Sequence, residues 1–298
     1  MRPPSSWASA ALLLMLSLLG AGGCFAGGGF SVDGGVFPLP VIHVVSPWPS
    51  AFGLAYEDVQ LTSPNGELLY GWYIPVDNAR ATVLIHHGAV ANRSSTAAHY
   101  RLYHELGCNV FTYDYQGFGE SPQIATLDTI LPDADTALAY VQGRRQAGSG
   151  PIILFGASMG TLPTFAQAAR NPDGVAAIVV EGCFQPPDLP SFSFYFLGIT
   201  PSPEAFLHIP QALNPDANAP LVTLPKLFMQ SRADTTTLFA DAQALFNASV
   251  EPKTFHEVIG GHLEAVLLDP HYEDYVGDFL DQVVGTGPPL VIRRDAAP

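Results

Sequence analysis

From Glu57 onward the chain repeats one pattern: a short run of apolar, β-branched and aromatic residues, then a longer stretch with helical spacing. "EDVQLTS" and "ELLYGWYIP", joined by "PNG", read as an antiparallel hairpin. "ATVLIHHG", "NVFTYDY", "PIILFGAS", "GVAAIVVEGC", "KLFMQSR" and "TFHEVI" follow, and they lack the polar alternation of a strand with one wet face. Such runs fit strands covered on both sides. Between them lie "STAAHYRLYHELG", "TLDTILPDADTALAYVQGRRQ", "GTLPTFAQAARN", "TTTLFADAQALFNAS" and "HYEDYVGDFLDQVV", several ending at Gly or Asn. The strand-then-helix order predicts an α/β fold, a mostly parallel, doubly wound sheet of about eight strands with helices on both faces. Ligands of such sheets bind beyond the C-terminal ends of the strands, so residues just after strands are the candidates for chemistry.

The stretch "PIILFGASMGT" places Gly-Ala-Ser-Met-Gly directly after one of these strands and before a helical segment. A strand, sharp turn and helix is the setting that exposes a nucleophilic serine, here Ser158, with Gly156 and Gly160 sparing the turn two side chains. The competing reading is a glycine turn with a capping serine. A serine hydroxyl is a weak nucleophile, so the first reading also needs a base, a group to orient it and donors for an oxyanion.

His262, after the last strand and two glycines in "VIGGHLEAV", is the candidate base. His256 lies inside an apolar run, His86 and His87 come too early in the chain, and His271 falls at a helix start. Asp234 in "QSRADTTT" is the candidate acid, a short loop beyond its strand, with Glu181 as the alternative. Asp114 reads as a brace for its own loop. The order Ser158, Asp234, His262 differs from those of the chymotrypsin and subtilisin types. The turn at Gly88-Ala89 in "HHGAVANRSS" is placed to aim one backbone N–H at an oxyanion, and the N–H of Met159 would be the second donor.

Together "HHGAVANRSS", "FTYDYQGFGESP", "ILFGASMGT", "RAD" and "GGH" resemble the α/β-hydrolase superfamily, in particular its esterase and lysophospholipase-like branch, over about Glu57 to Val284. The resemblance implies Ser158, Asp234 and His262 as a catalytic triad and Ala89 and Met159 as oxyanion donors. Ala89 stands where that branch often has Asn, Gln116 where it has Arg, and Gln230-Ser231 where it has His-Gly. The last departure bears on the placement of Asp234.

Such a triad implies hydrolysis of a small acyl ester through an acyl-enzyme. Peptidase or amidase activity, or a non-catalytic surface-anchored binding protein, are the alternatives. Residues 184–225 are rich in proline and aromatics and too long for a simple connection, so they read as a cap-like insertion over the site. Phe184, Phe194 and Phe196 in it would line an acyl pocket or only pack the insertion. The nine histidines show no ligand-spaced cluster with carboxylates or cysteines, and neither metal nor cofactor is expected.

Composition excludes other classes. With 12 basic against 27 acidic residues the net charge is -15, which disfavours a broad grip on nucleic acid or anionic lipid. The N-terminus carries Arg2, the apolar run Ala8 to Gly20 and small residues before Cys24. Residues 1–23 therefore read as a signal peptide, with Cys24 a lipidation site or the chain secreted without it. The chain is thus expected outside the cytoplasm, as a cell-envelope lipoprotein or secreted. Residues 24–50 read as a glycine-rich tether and N-terminal extension, 51–286 as the main domain and 287–298 as a tail. Cys108 and Cys183, at opposite edges of the expected sheet, read as free thiols.

Overall fold

Eight strands form a single sheet in the order β1-β2-β4-β3-β5-β6-β7-β8. They are β1 (Glu57–Thr62), β2 (Leu68–Ile74), β3 (Ala81–His86), β4 (Cys108–Tyr113), β5 (Ile152–Ala157), β6 (Val175–Glu181), β7 (Lys226–Gln230) and β8 (Lys253–Glu257). The structure, a computed structural model, describes residues 42–146, 150–185 and 209–286. Cys24, Phe194 and Phe196 lie outside the described residues. Strand β2 runs antiparallel to β1 and β4, and every pair from β4 to β8 is parallel.

Position in the sheet accounts for the sequence of each strand. Every residue of β3, β4 and β5 is buried, which is why these runs show no polar alternation. The edges look different. Strand β1 carries Glu57, Asp58 and Gln60 on its exposed positions, and β8 is bounded by Lys253 and Glu257. Charges on edge strands discourage pairing with another chain.

The described α-helices are α1 (Ala97–Glu105), α2 (Leu127–Gln146), α3 (Thr161–Ala168), α4 (Pro215–Asn218), α5 (Phe239–Ala248), α6 (Ala265–Leu268) and α7 (Tyr272–Val284), with short 3-10 turns beside them, the first at Pro49–Phe52. One core holds Tyr100 and Tyr103 of α1 and Val276, Phe279 and Leu280 of α7 against Val83, Ile85, Ile153, Phe155 and Val179. The other holds Ile130, Leu162, Phe165 and Leu245, from α2, α3 and α5, against Leu84, Leu154, Ile178 and Val180. Successive residues of one strand feed opposite cores, as the two-residue period of a strand demands. The helix expected from Thr235 begins instead at Phe239, because Thr236 and Thr237 spend their N–H groups on the Asp234 carboxylate.

Within the insertion, residues 209–225 fold onto the second core through Leu213, Ala219 and Val222. Phe184, at the start of that insertion, is 5% exposed and shares the same core with Met159, Leu162 and Leu213. Cys108 and Cys183 are free and buried. Burial pushes the Cys108 thiol up to about 12 and raises that of Cys183 as well, so neither carries a reactive thiolate near neutral pH. Among the described residues no helix is long and apolar enough to cross a membrane.

The chain leaves β3 for β4 on one side and continues to β5 on the other. The loops after β3 and β5 therefore meet at the C-terminal edge of neighbouring strands, the crevice in which such sheets hold ligands. Phe155 sits in the middle of this arrangement, fully buried with ring contacts to His99 and Tyr103. Phe155→Ala should cost about 3–5 kcal/mol of unfolding free energy in a urea titration; a loss below about 1 kcal/mol would contradict this view of the core.

Candidate active site

Ser158 occupies a left-handed backbone conformation, φ 52°, between the last residue of β5 and the first turn of α3. That conformation is rare for a residue with a side chain and costs about 1–3 kcal/mol. It persists because neighbours leave no room for anything else. A Cβ on Gly160 would come within 2.0 Å of the His86 carbonyl oxygen, and one on Gly156 within 2.4 Å of Thr164 Oγ1. The two glycines let β3, β5 and α3 close on the turn, and the turn drives the Ser158 side chain out of the strand direction.

His262 and Asp234 arrive from the loops after β8 and β7. His262 Nε2 lies 3.0 Å from Ser158 Oγ, and its Nδ1 lies 2.8 Å from Asp234 Oδ2. An ionised carboxylate only accepts, so Nδ1 carries the proton and Nε2 is left to accept from the serine hydroxyl. The carboxylate is itself held. Asp234 Oδ1 accepts the N–H groups of Thr236 and Thr237 at 2.8 and 2.9 Å, and Oδ2 accepts the Thr237 hydroxyl at 2.7 Å and Gln230 Nε2 at 3.2 Å. Burial alone would push this carboxyl up. The hydrogen bond and charge of His262, with the Thr237 donors, outweigh it and hold the group below the ordinary aspartate value.

Glu181, the alternative acid, points elsewhere. Its Oε2 accepts the Tyr272 hydroxyl at 2.6 Å and lies 3.0 Å from His99 Nε2, between β6, α1 and α7. Gly182, one residue on, is what meets His262: a Cβ there would sit 3.2 Å from Cε1 of the ring. The strand period thus turns Glu181 away from the histidine that its chain neighbour Gly182 meets. His256 stacks on Tyr275 at 3.9 Å, and His271 lies on the surface beside Asp274. Asp114 braces its surroundings, accepting the N–H of Arg93 and of Glu120 and the Arg93 guanidinium.

The loop after β3 lies against Ser158. A Cβ on Gly88 would be 3.2 Å from Ser158 Cβ and 3.7 Å from its Oγ. His87 Nδ1 donates to the Gly88 carbonyl at 2.7 Å. In a trans peptide the carbonyl of Gly88 and the N–H of Ala89 point in opposite directions, so fixing the first aims the second. His86 is fixed as well: Nε2 donates to Gln167 Oε1 at 3.0 Å and Nδ1 accepts from the Tyr113 hydroxyl at 2.9 Å. Thr237 and Gln230, which hold Asp234, escaped the sequence reading. The threonine run of "RADTTT" is the signal for the first, whereas Gln230 reads only as a departure from the familiar His-Gly. Among the described residues no group of three metal-ligating side chains comes together.

Sheet order, the tight turn at Ser158 and the meeting of serine, histidine and aspartate at the strand ends give this chain the α/β-hydrolase fold. Residues 77–200 match the family model described as Serine aminopeptidase, S33. The chain is 27% identical over 262 residues to the YfhR protein of Escherichia coli, covering 82% of this chain and 85% of that one. It is 31% identical over 139 residues to the alpha/beta hydrolase domain-containing protein WAV2 of Arabidopsis thaliana, covering 46% of this chain and 45% of the relative. The solved esterase Pf2001 of Pyrococcus furiosus shares the fold with a TM-score of 0.71 at 19% identity, over 83% of this chain and 98% of its own.

Burial lowers the pKa of His86 to about 4 and of His87 to about 3, so both are neutral in the fold. An unfolded histidine takes up its proton near pH 6.5, and these two refuse it until far lower. Their stabilising contribution is complete above pH 6.5 and falls as the pH drops through that window, by a few kcal/mol together as an order of magnitude. Unfolding free energies measured in denaturant from pH 7 to pH 4 should decline, and less steeply in His87→Gln; an equal slope in both proteins would contradict the assignment.

Proposed function

We propose that the protein hydrolyses carboxylic esters through an acyl-enzyme, with Ser158 as nucleophile, His262 as general base and then acid, and Asp234 as the group that orients and charges the histidine. The observation that carries this reading is the continuous contact from Asp234 Oδ2 through the His262 ring to Ser158 Oγ, at 2.8 and 3.0 Å. As Oγ attacks the carbonyl carbon, its proton passes to His262 Nε2, and the imidazolium forms against Asp234. The carbonyl oxygen becomes an oxyanion beside the elbow, where the N–H groups of Ala89 and Met159 receive it. Collapse of this tetrahedral state breaks the ester bond, and His262 returns the proton to the leaving alkoxide. Water, deprotonated by the same Nε2, then attacks the acyl group and releases the acid and free Ser158.

Esters are the first choice because the fold neighbours include solved esterases. Amide or peptide cleavage is the second reading, favoured by the match of residues 77–200 to a serine aminopeptidase model. A panel of p-nitrophenyl acyl esters beside aminoacyl p-nitroanilides separates the two. The expected result is ester turnover that disappears in Ser158→Ala and falls by about 10³-fold or more in Asp234→Asn, with Glu181→Gln close to wild type. Preferential anilide cleavage would move the assignment to peptidase, and turnover surviving in Ser158→Ala would remove Ser158 from it.

A further inference from the structure

Ile42–Ser46, upstream of the first helical turn, is bound to the loop that carries Ala89. Asn92, wholly buried, makes every hydrogen bond its side chain allows. Its Nδ2 donates to the carbonyls of Ile42 and Val44 at 3.0 and 2.9 Å, and its Oδ1 accepts the N–H and the hydroxyl of Ser94 at 2.9 and 2.7 Å. Ser94 Oγ in turn accepts the N–H of Ser46 at 3.1 Å. The Ile42 carbonyl also receives Gly119 N–H at 3.1 Å, and His43 Nδ1 reaches the Gly119 carbonyl at 3.2 Å. The segment is therefore stitched to two loops at once.

The loop has little freedom between its anchors. Gly88 is pinned through its carbonyl by His87, and Asn92 is pinned by the strap. Only Ala89, Val90 and Ala91 lie between them. Val90 sits at φ 50°, a conformation a β-branched residue adopts only where its surroundings force it. Beyond Asn92 the next residue, Arg93, is buried against Asp114 and Glu120 and over the Trp72 ring. His87 holds the Gly88–Ala89 peptide at one end of this short span, and Asn92 is the side chain that fixes its other end.

From this geometry we infer that Asn92 is a positioning residue for the oxyanion site, and that the Ile42–Ser46 strap is part of the catalytic scaffold. The strap holds the far end of the Ala89 loop, so that the Ala89 N–H stays aimed at the developing oxyanion. The inference rests on the ester-hydrolase reading above, in which Ala89 is a donor. Its chemistry is specific: a misdirected oxyanion donor weakens the transition state more than the bound substrate, so the loss appears in kcat and not in KM.

The test uses the full chain with Asn92→Asp, which keeps the acceptor for Ser94 and replaces both donors to the strap with a carboxylate oxygen. Active sites are titrated to completion with a fluorophosphonate, so that kcat is expressed per competent site. The expected result is a kcat per site lower by about 10- to 100-fold with KM within about twofold, and faster amide exchange at Ser46 and Gly119. Ser94→Ala, which removes the hydroxyl between Asn92 and Ser46, should lower kcat per site in the same sense by about two- to fivefold, and it decides the matter if Asn92→Asp does not fold. A residue that only stabilised the fold would reduce the titratable fraction and leave kcat per site unchanged, and that result overturns the inference. A wild-type chain that neither turns over esters nor takes the label overturns the ester-hydrolase reading and this one with it.

Discussion

Everything at this site depends on one crowded turn. Ser158 is held in a left-handed conformation because β3, β5 and α3 approach so closely that Gly156 and Gly160 cannot carry a side chain. The strain is local and the force that maintains it is not: it comes from three fully buried strands and two cores packed on either side of them. Relaxing the turn would require those strands to part. The serine is thus presented by the packing of the whole sheet, and its hydroxyl needs no flexible loop to place it.

Around that rigid point the supporting groups come from loops, and each loop is fixed by polar contacts in place of packing. Asp234 is gripped by Thr236, Thr237 and Gln230 before it grips His262. The loop after β3 is clamped by His87 at one end and by Asn92 at the other. Buried polar groups of this kind are costly unless fully satisfied, and satisfied ones specify a single arrangement. A rigid serine with hydrogen-bonded partners is the arrangement that the proposed reaction calls for, a preorganised site in which little reorganisation remains for the moment of reaction.

The fold was largely legible from apolar runs, because a strand buried on both faces leaves a continuous hydrophobic signature and all eight do so or mark themselves as edges. The serine, histidine and aspartate were legible for a related reason: each follows a strand, and the sheet brings strand ends together. What could not be read was which way a side chain faces. Glu181 and Gly182 are neighbours in the chain, yet only Gly182 meets the histidine, and the difference is one step of the strand period. Gln230 looked like a departure from a familiar pattern and proves to be a donor to Asp234, since an amide reaches the same carboxylate from the end of β7. The strap from Ile42 to Ser46 has no periodicity at all, and apart from His43 it is bonded through its backbone groups, which leave no trace in residue identity.

The central claim is that Ser158 is chemically activated by the histidine 3.0 Å from it. Intact-mass analysis of the folded chain after exposure to a fluorophosphonate, followed by peptide mapping, tests this without a known substrate. The account predicts a single phosphonyl adduct on Ser158, absent from Ser158→Ala and strongly slowed in His262→Ala. An unmodified folded protein, or an adduct at another residue, would contradict it.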